Sequence, residues 1–397
     1  MFHCITRRSW IAGAGTLAGS LALPKRMFSA EAPSARVAVA ACRSYGPELV
    51  PALEKMFDQL GGLGRIVKGK TVAVKVNLTG TPTDRLGHLP NSLTQWTHPS
   101  VIGATVHLMG KAGARRIRIL ESPWKSAEPI EEIMLQAGWE PRDFLNAAPL
   151  VEFENTNFLG SGKQYVRLVT PHGGHVFRAF DLNHSYQDCD VFVSIAKLKG
   201  HGDAGVTLSM KNCFGITPCT IYGDGAGEEE PGLLPLGGRG FLHDGSRQPS
   251  KSAPSENDPK SPRGAGYRVA AIVADLVAAR PIHLAIIDGI RTQTRGETAG
   301  VRGAIPVAPG VLIAGTNCVC TDAVAMAVMG FDPLADRGKA PFERSDSTLR
   351  LAESLGVGTR DLSRIEVIGT PIAQVRFDFR NPVRAPVLND RTENSHA

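Results

Sequence analysis

Aromatic residues make up only 6% of this 397-residue chain. Nucleic-acid surfaces usually interleave aromatics with a stripe of Lys and Arg, and no such stripe is present, which argues against a nucleic-acid partner. Cysteine is scarce and irregularly spaced: Cys4, Cys42, Cys189, Cys213, Cys219, Cys318 and Cys320 include no CxxC pair. That excludes the closely spaced cysteine run of a ferredoxin-type iron–sulfur site. Cys213 and Cys219 are the pair whose spacing permits a disulfide, although their apolar neighbours suit buried thiols. Nucleophile-elbow, phosphate-loop and HExxH signatures are all missing. No apolar run reaches the roughly 20 residues of a membrane-spanning helix.

The basic excess is also smaller than it looks. The formal charge is +6, but residues 1–30 hold Arg7, Arg8, Lys25 and Arg26 and no acid. The remainder carries 40 basic and 38 acidic side chains, a balance of +2. Thr6-Arg7-Arg8-Ser9-Trp10-Ile11 precedes a short, Gly- and Ala-rich apolar run to Leu23, and small residues follow at 29–32. A charged start, an apolar centre and a small-residue exit make an export signal. The paired arginines before a weakly apolar run specify the twin-arginine route. Residues 1–32 are therefore expected to be a cleaved signal, with the Tat translocase as partner and the periplasm or the exterior as destination. That route carries folded proteins, so a bound cofactor, such as a metal ion, is compatible with it.

After the signal, β-rich runs alternate with helical patterns. Strands are expected at 36–40, 71–76, 116–120, 190–196, 282–288, 310–314 and 365–368, with further β-like stretches at 150–153, 165–169 and 176–180. Helices are expected at 47–60, 99–111, 128–137, 267–278, 321–329 and 349–355. The alternation implies an α/β fold: a mostly parallel, Rossmann-like sheet flanked by helices. Residues 36–370 form this domain. Residues 222–266, rich in Gly, Pro and Ser, read as a lid, an inter-subunit arm or a disordered insertion. The tail from 382 to 397 reads as loose.

Polar residues gather where the apolar strands end, the place where ligands bind in α/β sheets. Lys75 and Asn77 follow one strand, and His98 precedes a helix, where it is a base, a ligand or a cap. Lys197, Lys199, His201, Lys211 and Asn212 follow another strand. The period-2 spacing of Lys197 and Lys199 puts both on one face if the strand continues. Three ammonium groups near glycine-exposed amides suit a small anion. Asp288 ends a later strand and is a partner or metal candidate. Asp322 reads as a charge near a helix N-terminus or a second metal candidate. His172 and His175 flank a turn and lack a third ligand.

Several of these stretches resemble the domain-of-unknown-function 362 family. They are Val74-Lys75-Val76-Asn77-Leu78, Thr97-His98-Pro99, Lys197 through His201, Val206 through Gly215, Ile287-Asp288-Gly289-Ile290, and Gly315-Thr316-Asn317 with Thr321-Asp322-Ala323. The resemblance covers about residues 37–370. It implies the domain boundaries and the location of a site. Some relatives carry added iron–sulfur modules, whose cysteines are missing here. The leading expectation is an exported enzyme acting on a small anionic molecule. In it, Lys75, Asn77, Lys197, Lys211 and Asn212 hold the anion, and His98, His201 or Lys199 move protons. The rivals are a periplasmic ligand, metal or cofactor carrier without turnover, and an assembly partner that uses 222–266 as its arm. Homo-oligomers are compatible with all three.

Overall fold

The short apolar runs at the centre of the chain's sheet become buried strands whose alternate side chains feed two different cores. In the computed structural model, residues 31–158 and 165–383 are described. The twin-arginine stretch at 1–30 and the tail from 384 lie outside the described residues. Eight strands form the main sheet among them: β1 (Val37–Ala41), β2 (Thr71–Lys75), β3 (Arg116–Glu121), β4 (Val151–Asn155), β5 (Val191–Lys197), β6 (Leu284–Gly289), β7 (Val311–Gly315) and β8 (Val367–Gly369). Their spatial order is β8-β1-β7-β6-β5-β2-β3-β4. β7 runs antiparallel to both its neighbours, β1 and β6. The other strand pairs are parallel. The fold is thus the expected α/β layered one.

Period-2 alternation decides the layers. Val72 and Val74 of β2 face one core, and Ala73 between them faces the other. The first core also takes α1 (Leu49–Gln59), α2 (Pro99–Lys111) and α3 (Ile130–Gln136). The second takes α4 (Leu208–Asn212), α5 (Gly240–Asp244), α6 (Ala265–Ala279), α7 (Cys318–Val328) and α8 (Thr348–Ser354). With both faces covered, the central strands carry near-continuous apolar sequence.

Two expectations change. The helix expected at 321–329 begins at Cys318, because the Asn317 side chain caps it by accepting from the Val319 and Cys320 amides. The segment 222–266, read as lid, arm or disorder, contains buried Tyr222, Phe241, Leu242 and Glu256. Tyr222 and Phe241 stack with ring centroids 6.0 Å apart. Glu256 accepts from Arg263 at 2.8 Å and also pairs with buried Arg268, anchoring the segment to α6.

Candidate functional site

The direction of winding reverses between β2 and β5. From β2 the chain builds outward through β3 and β4, and from β5 it builds the other way through β6 and β7. Such a reversal leaves a crevice beyond the carboxyl ends of the two strands, and ligands bind there. A cavity of about 550 Å³ lies at this place, lined among others by Lys75, Asn77, Glu121, Lys211, Arg239 and His243.

Its deep end is built from strand ends. Lys75 closes β2 and reaches Glu121, the last residue of β3, at 2.7 Å. The Lys75 ammonium also donates to Asn212 Oδ1 at 3.2 Å. Asn77 donates to the same oxygen at 3.0 Å. Asn212 in turn donates to Ser194 Oγ at 3.0 Å, which ties the end of α4 to β5. The Glu121 carboxylate accepts from the Leu78 amide at 2.9 Å. Burial pushes Lys75 below the usual lysine range, and Glu121 works against that push. Gly215 passes directly over the pair: a Cβ there would lie 2.7 Å from Glu121 Oε1 and 2.9 Å from Lys75 Nζ. The Lys-Asn-Cys-Phe-Gly stretch therefore needs its final glycine for this close approach.

Two further cations lack a carboxylate partner in contact. Lys211 lies in the last turn of α4 with its ammonium 4.1 Å from the Phe214 ring centroid. Burial pushes it down to about 7; Glu297 opposes the fall, while Arg239 and Lys75 add to it. Arg239 donates to the Thr217 and Ser122 carbonyls, each at 2.8 Å, so its positive charge is held but not neutralised. Apart from Glu121, the acids among the lining residues sit nearer solvent. Asp84 and Glu297 are half-buried and Asp224 is exposed. The cavity is therefore cationic at depth and acidic at its rim.

Two histidines face this space in opposite tautomers. His243 Nδ1 lies 2.7 Å from the Arg239 carbonyl, an acceptor, so the proton is assigned to Nδ1 and the lone pair to Nε2. His201 Nδ1 accepts from the Asp203 amide at 3.1 Å, which assigns the proton to Nε2. Burial first, then Lys211, holds both imidazoles below the ordinary histidine range. Both rings are neutral near pH 7, one presenting an acceptor and the other a donor.

The match to known proteins covers this whole arrangement. The family model described as Domain of unknown function (DUF362) matches residues 72–327, from β2 into α7. The chain belongs to the DUF362 family. A thylakoid-associated protein of Synechocystis sp. is 27% identical over 172 residues, which is 43% of this chain and 46% of that protein. The match thus spans less than half of that relative's length.

Not every residue singled out in this DUF362 chain reaches the cavity. Lys75, Asn77, His201, Lys211 and Asn212 line it together. Lys197, Asp288 and His98 form a separate, sealed cluster. Lys197 pairs with Asp288 at 2.8 Å, both 0% exposed. The Tyr45 hydroxyl donates to Asp288 at 3.1 Å and accepts from Lys197 at 3.2 Å. The His98 and Ile290 amides complete the carboxylate's partners at 3.0 and 3.1 Å. The His98 ring stacks on Tyr45, centroids 3.5 Å apart, and caps α2 by accepting from the Ser100 amide. Among the three roles open to His98, it is placed as a cap.

Lys199 lies beyond the end of β5, which closes at Lys197, so the two lysines do not share the expected strand face. Its ammonium donates to the Gln95 and Glu297 carbonyls, each at 2.7 Å, and burial pushes it down to about 7. Asp322 lies inside α7 and not at its N-terminus. It accepts from the Ser209 amide at 2.9 Å, the Ser209 hydroxyl at 2.6 Å and the Met210 amide at 2.9 Å, and burial pushes it up to about 7. That role pins the start of α4 and replaces the expected dipole role. All six described cysteines are free thiols, including Cys213 and Cys219. Among the described residues, no group of three or more His, Cys, Asp or Glu side chains is placed to hold a metal ion. No helix among them is long and apolar enough to cross a membrane.

Glu121, Arg239 and His243 are among the lining residues not anticipated from the sequence. Glu121 directly follows the expected strand 116–120, so the strand-end rule that selected Lys75 also selects it. Arg239 and His243 lie in the 222–266 segment, whose composition hides any structural signal.

Proposed function

We propose that this DUF362 protein is an exported enzyme that binds a small molecule through an anionic group and moves a proton on it. Lys211 and Arg239, backed by Lys75, hold the anion. His243 Nε2 takes a proton from the ligand and returns it at another atom, while His201 Nε2–H donates a hydrogen bond to the charge that develops. The reaction class is proton transfer with no net gain or loss of electrons. Lys211 and Arg239 stabilise negative charge that develops when the proton leaves. A bound anion offsets both cations and raises the basicity of His243 once the ligand is in place. The single observation that carries this reading is the pair of neutral histidines in complementary tautomers over unneutralised cations.

The test has two arms. The purified full chain is incubated in deuterium oxide with a panel of small carboxylates and phosphate esters, and deuterium incorporation is followed by mass spectrometry. His243→Gln should lower incorporation about 100-fold or more while leaving binding intact. Lys211→Ala should weaken binding of the responding ligand at least tenfold. Undiminished binding in Lys211→Ala and Arg239→Ala, both correctly folded, would overturn the site. A ligand held tightly with no exchange would instead make the protein a carrier without turnover. For export, we propose that residues 1–32 act as a twin-arginine signal. Arg7→Lys with Arg8→Lys should retain the chain in the cytoplasm, and an intact Met1 on the exported form would refute cleavage.

A further inference from the structure

His201 faces two cavities. On its other side lies one of about 590 Å³, lined by His201 and the glycine strap Gly200, Gly202 and Gly205. The strap is pinned: Gly205 has φ +71°, and a Cβ there would lie 2.6 Å from Phe342 and 2.8 Å from the Pro341 carbonyl. Met329, Phe331 and Phe379 give this second cavity an apolar wall. Four arginines also line it, against a single lining carboxylate, Glu343. Arg380 is engaged with Asp378 at 3.0 Å. Among the described residues, the guanidinium groups of Arg295, Arg302 and Arg344 make no ion pair or hydrogen bond.

Arg295, Arg302 and Arg344 are exposed, so water and not the protein satisfies their guanidinium groups. A tetrahedral dianion can replace that water, because each planar guanidinium offers it two parallel donors. The volume falls within the range of about 300–1,000 Å³ that suits small molecules. A nucleic acid would need an extended exposed stripe, whereas these arginines line a hollow with an apolar wall. We propose that the second cavity binds a phosphorylated small molecule, with phosphate on Arg302 and Arg344 and the apolar part against Met329 and Phe331. This binding does not depend on proton transfer in the first cavity.

The experiment is isothermal titration of the full chain with phenyl phosphate and with inorganic phosphate. The wild type should bind phenyl phosphate saturably and more tightly than inorganic phosphate. The double variant Arg302→Ala/Arg344→Ala, checked for an unchanged thermal melt, should weaken both at least tenfold. If the double variant melts lower, Arg302→Gln alone should still weaken phenyl phosphate severalfold. Absence of saturable binding to the wild type overturns the proposal. So does undiminished binding in the arginine variants. Loss of phenyl phosphate in Lys211→Ala with none in the arginine variants places the phosphate in the first cavity; it overturns this inference while leaving the proposed function standing.

Discussion

Two lysine–carboxylate pairs sit side by side in the centre of the sheet, and they have opposite fates. Lys75 with Glu121 and Lys197 with Asp288 have similar separations, 2.7 and 2.8 Å, and all four side chains are at most 5% exposed. Both lysines close parallel strands that pair with one another. The difference lies in what covers them. Tyr45 and the His98 amide close over Asp288 and saturate it. Over Lys75 and Glu121 the chain offers only Gly215, with no side chain, and the cavity opens there. A buried ion pair is therefore not by itself a functional sign. The cover decides whether the pair is a strut or a floor.

The comparison breaks most readily at the sealed pair. Asp288→Ala leaves Lys197 with only the Tyr45 hydroxyl and the Ser92 carbonyl, so an uncompensated ammonium remains in a dry interior. The expected cost is about 3–5 kcal/mol of stability, read from urea unfolding. Glu121→Ala should cost less, about 1–3 kcal/mol. Lys75 there keeps Asn212 Oδ1 and the Val76 carbonyl, and it borders a cavity that water can enter. If Glu121→Ala proved the more damaging of the two, the open pair would be the strut, and the contrast would be reversed.

The sheet was legible because its strands are buried on both faces, so apolar runs alone mark β2, β5 and β6. Their order in space was not, since it depends on pairings between distant segments. Strand ends were legible as places where polar residues collect, which is why Lys75 and Lys197 were both selected. Nothing local separates them. The cover over Lys197 comes from Tyr45 and His98, far away in the chain and brought in by α1 and α2. The packing within the 222–266 segment was hidden for a related reason. Its glycines and prolines signal irregular backbone, and irregular backbone can still pack. Gly238 and Gly240 are small because Trp124 and Asp224 come close, with a Cβ at either meeting an atom at 2.7 or 2.6 Å. Arg239 and His243 ride on that packed segment, at the N-cap and within α5.

The smallest effect is a slope, and it distinguishes the open cations from the sealed one. Lys211 stands at about 7 in the folded chain and in the ordinary lysine range, near 10.5, when unfolded. Between those values the unfolded chain binds more protons, so stability rises with pH across the window. Below about 7 both states are protonated and the term is constant. One such group contributes at most about 1.4 kcal/mol per pH unit. Lys211→Met should remove that much slope from the stability profile, measured by urea unfolding at pH 7 to 10, and leave a remainder from Lys199, which also stands at about 7. An anion in the cavity favours the ammonium, so its affinity should fall as pH rises through about 7, and Lys211→Met should flatten that fall. Identical slopes in the variant and the wild type would mean that Lys211 keeps its proton throughout, as a well-hydrated lysine does, and that the deep end of the cavity is wet.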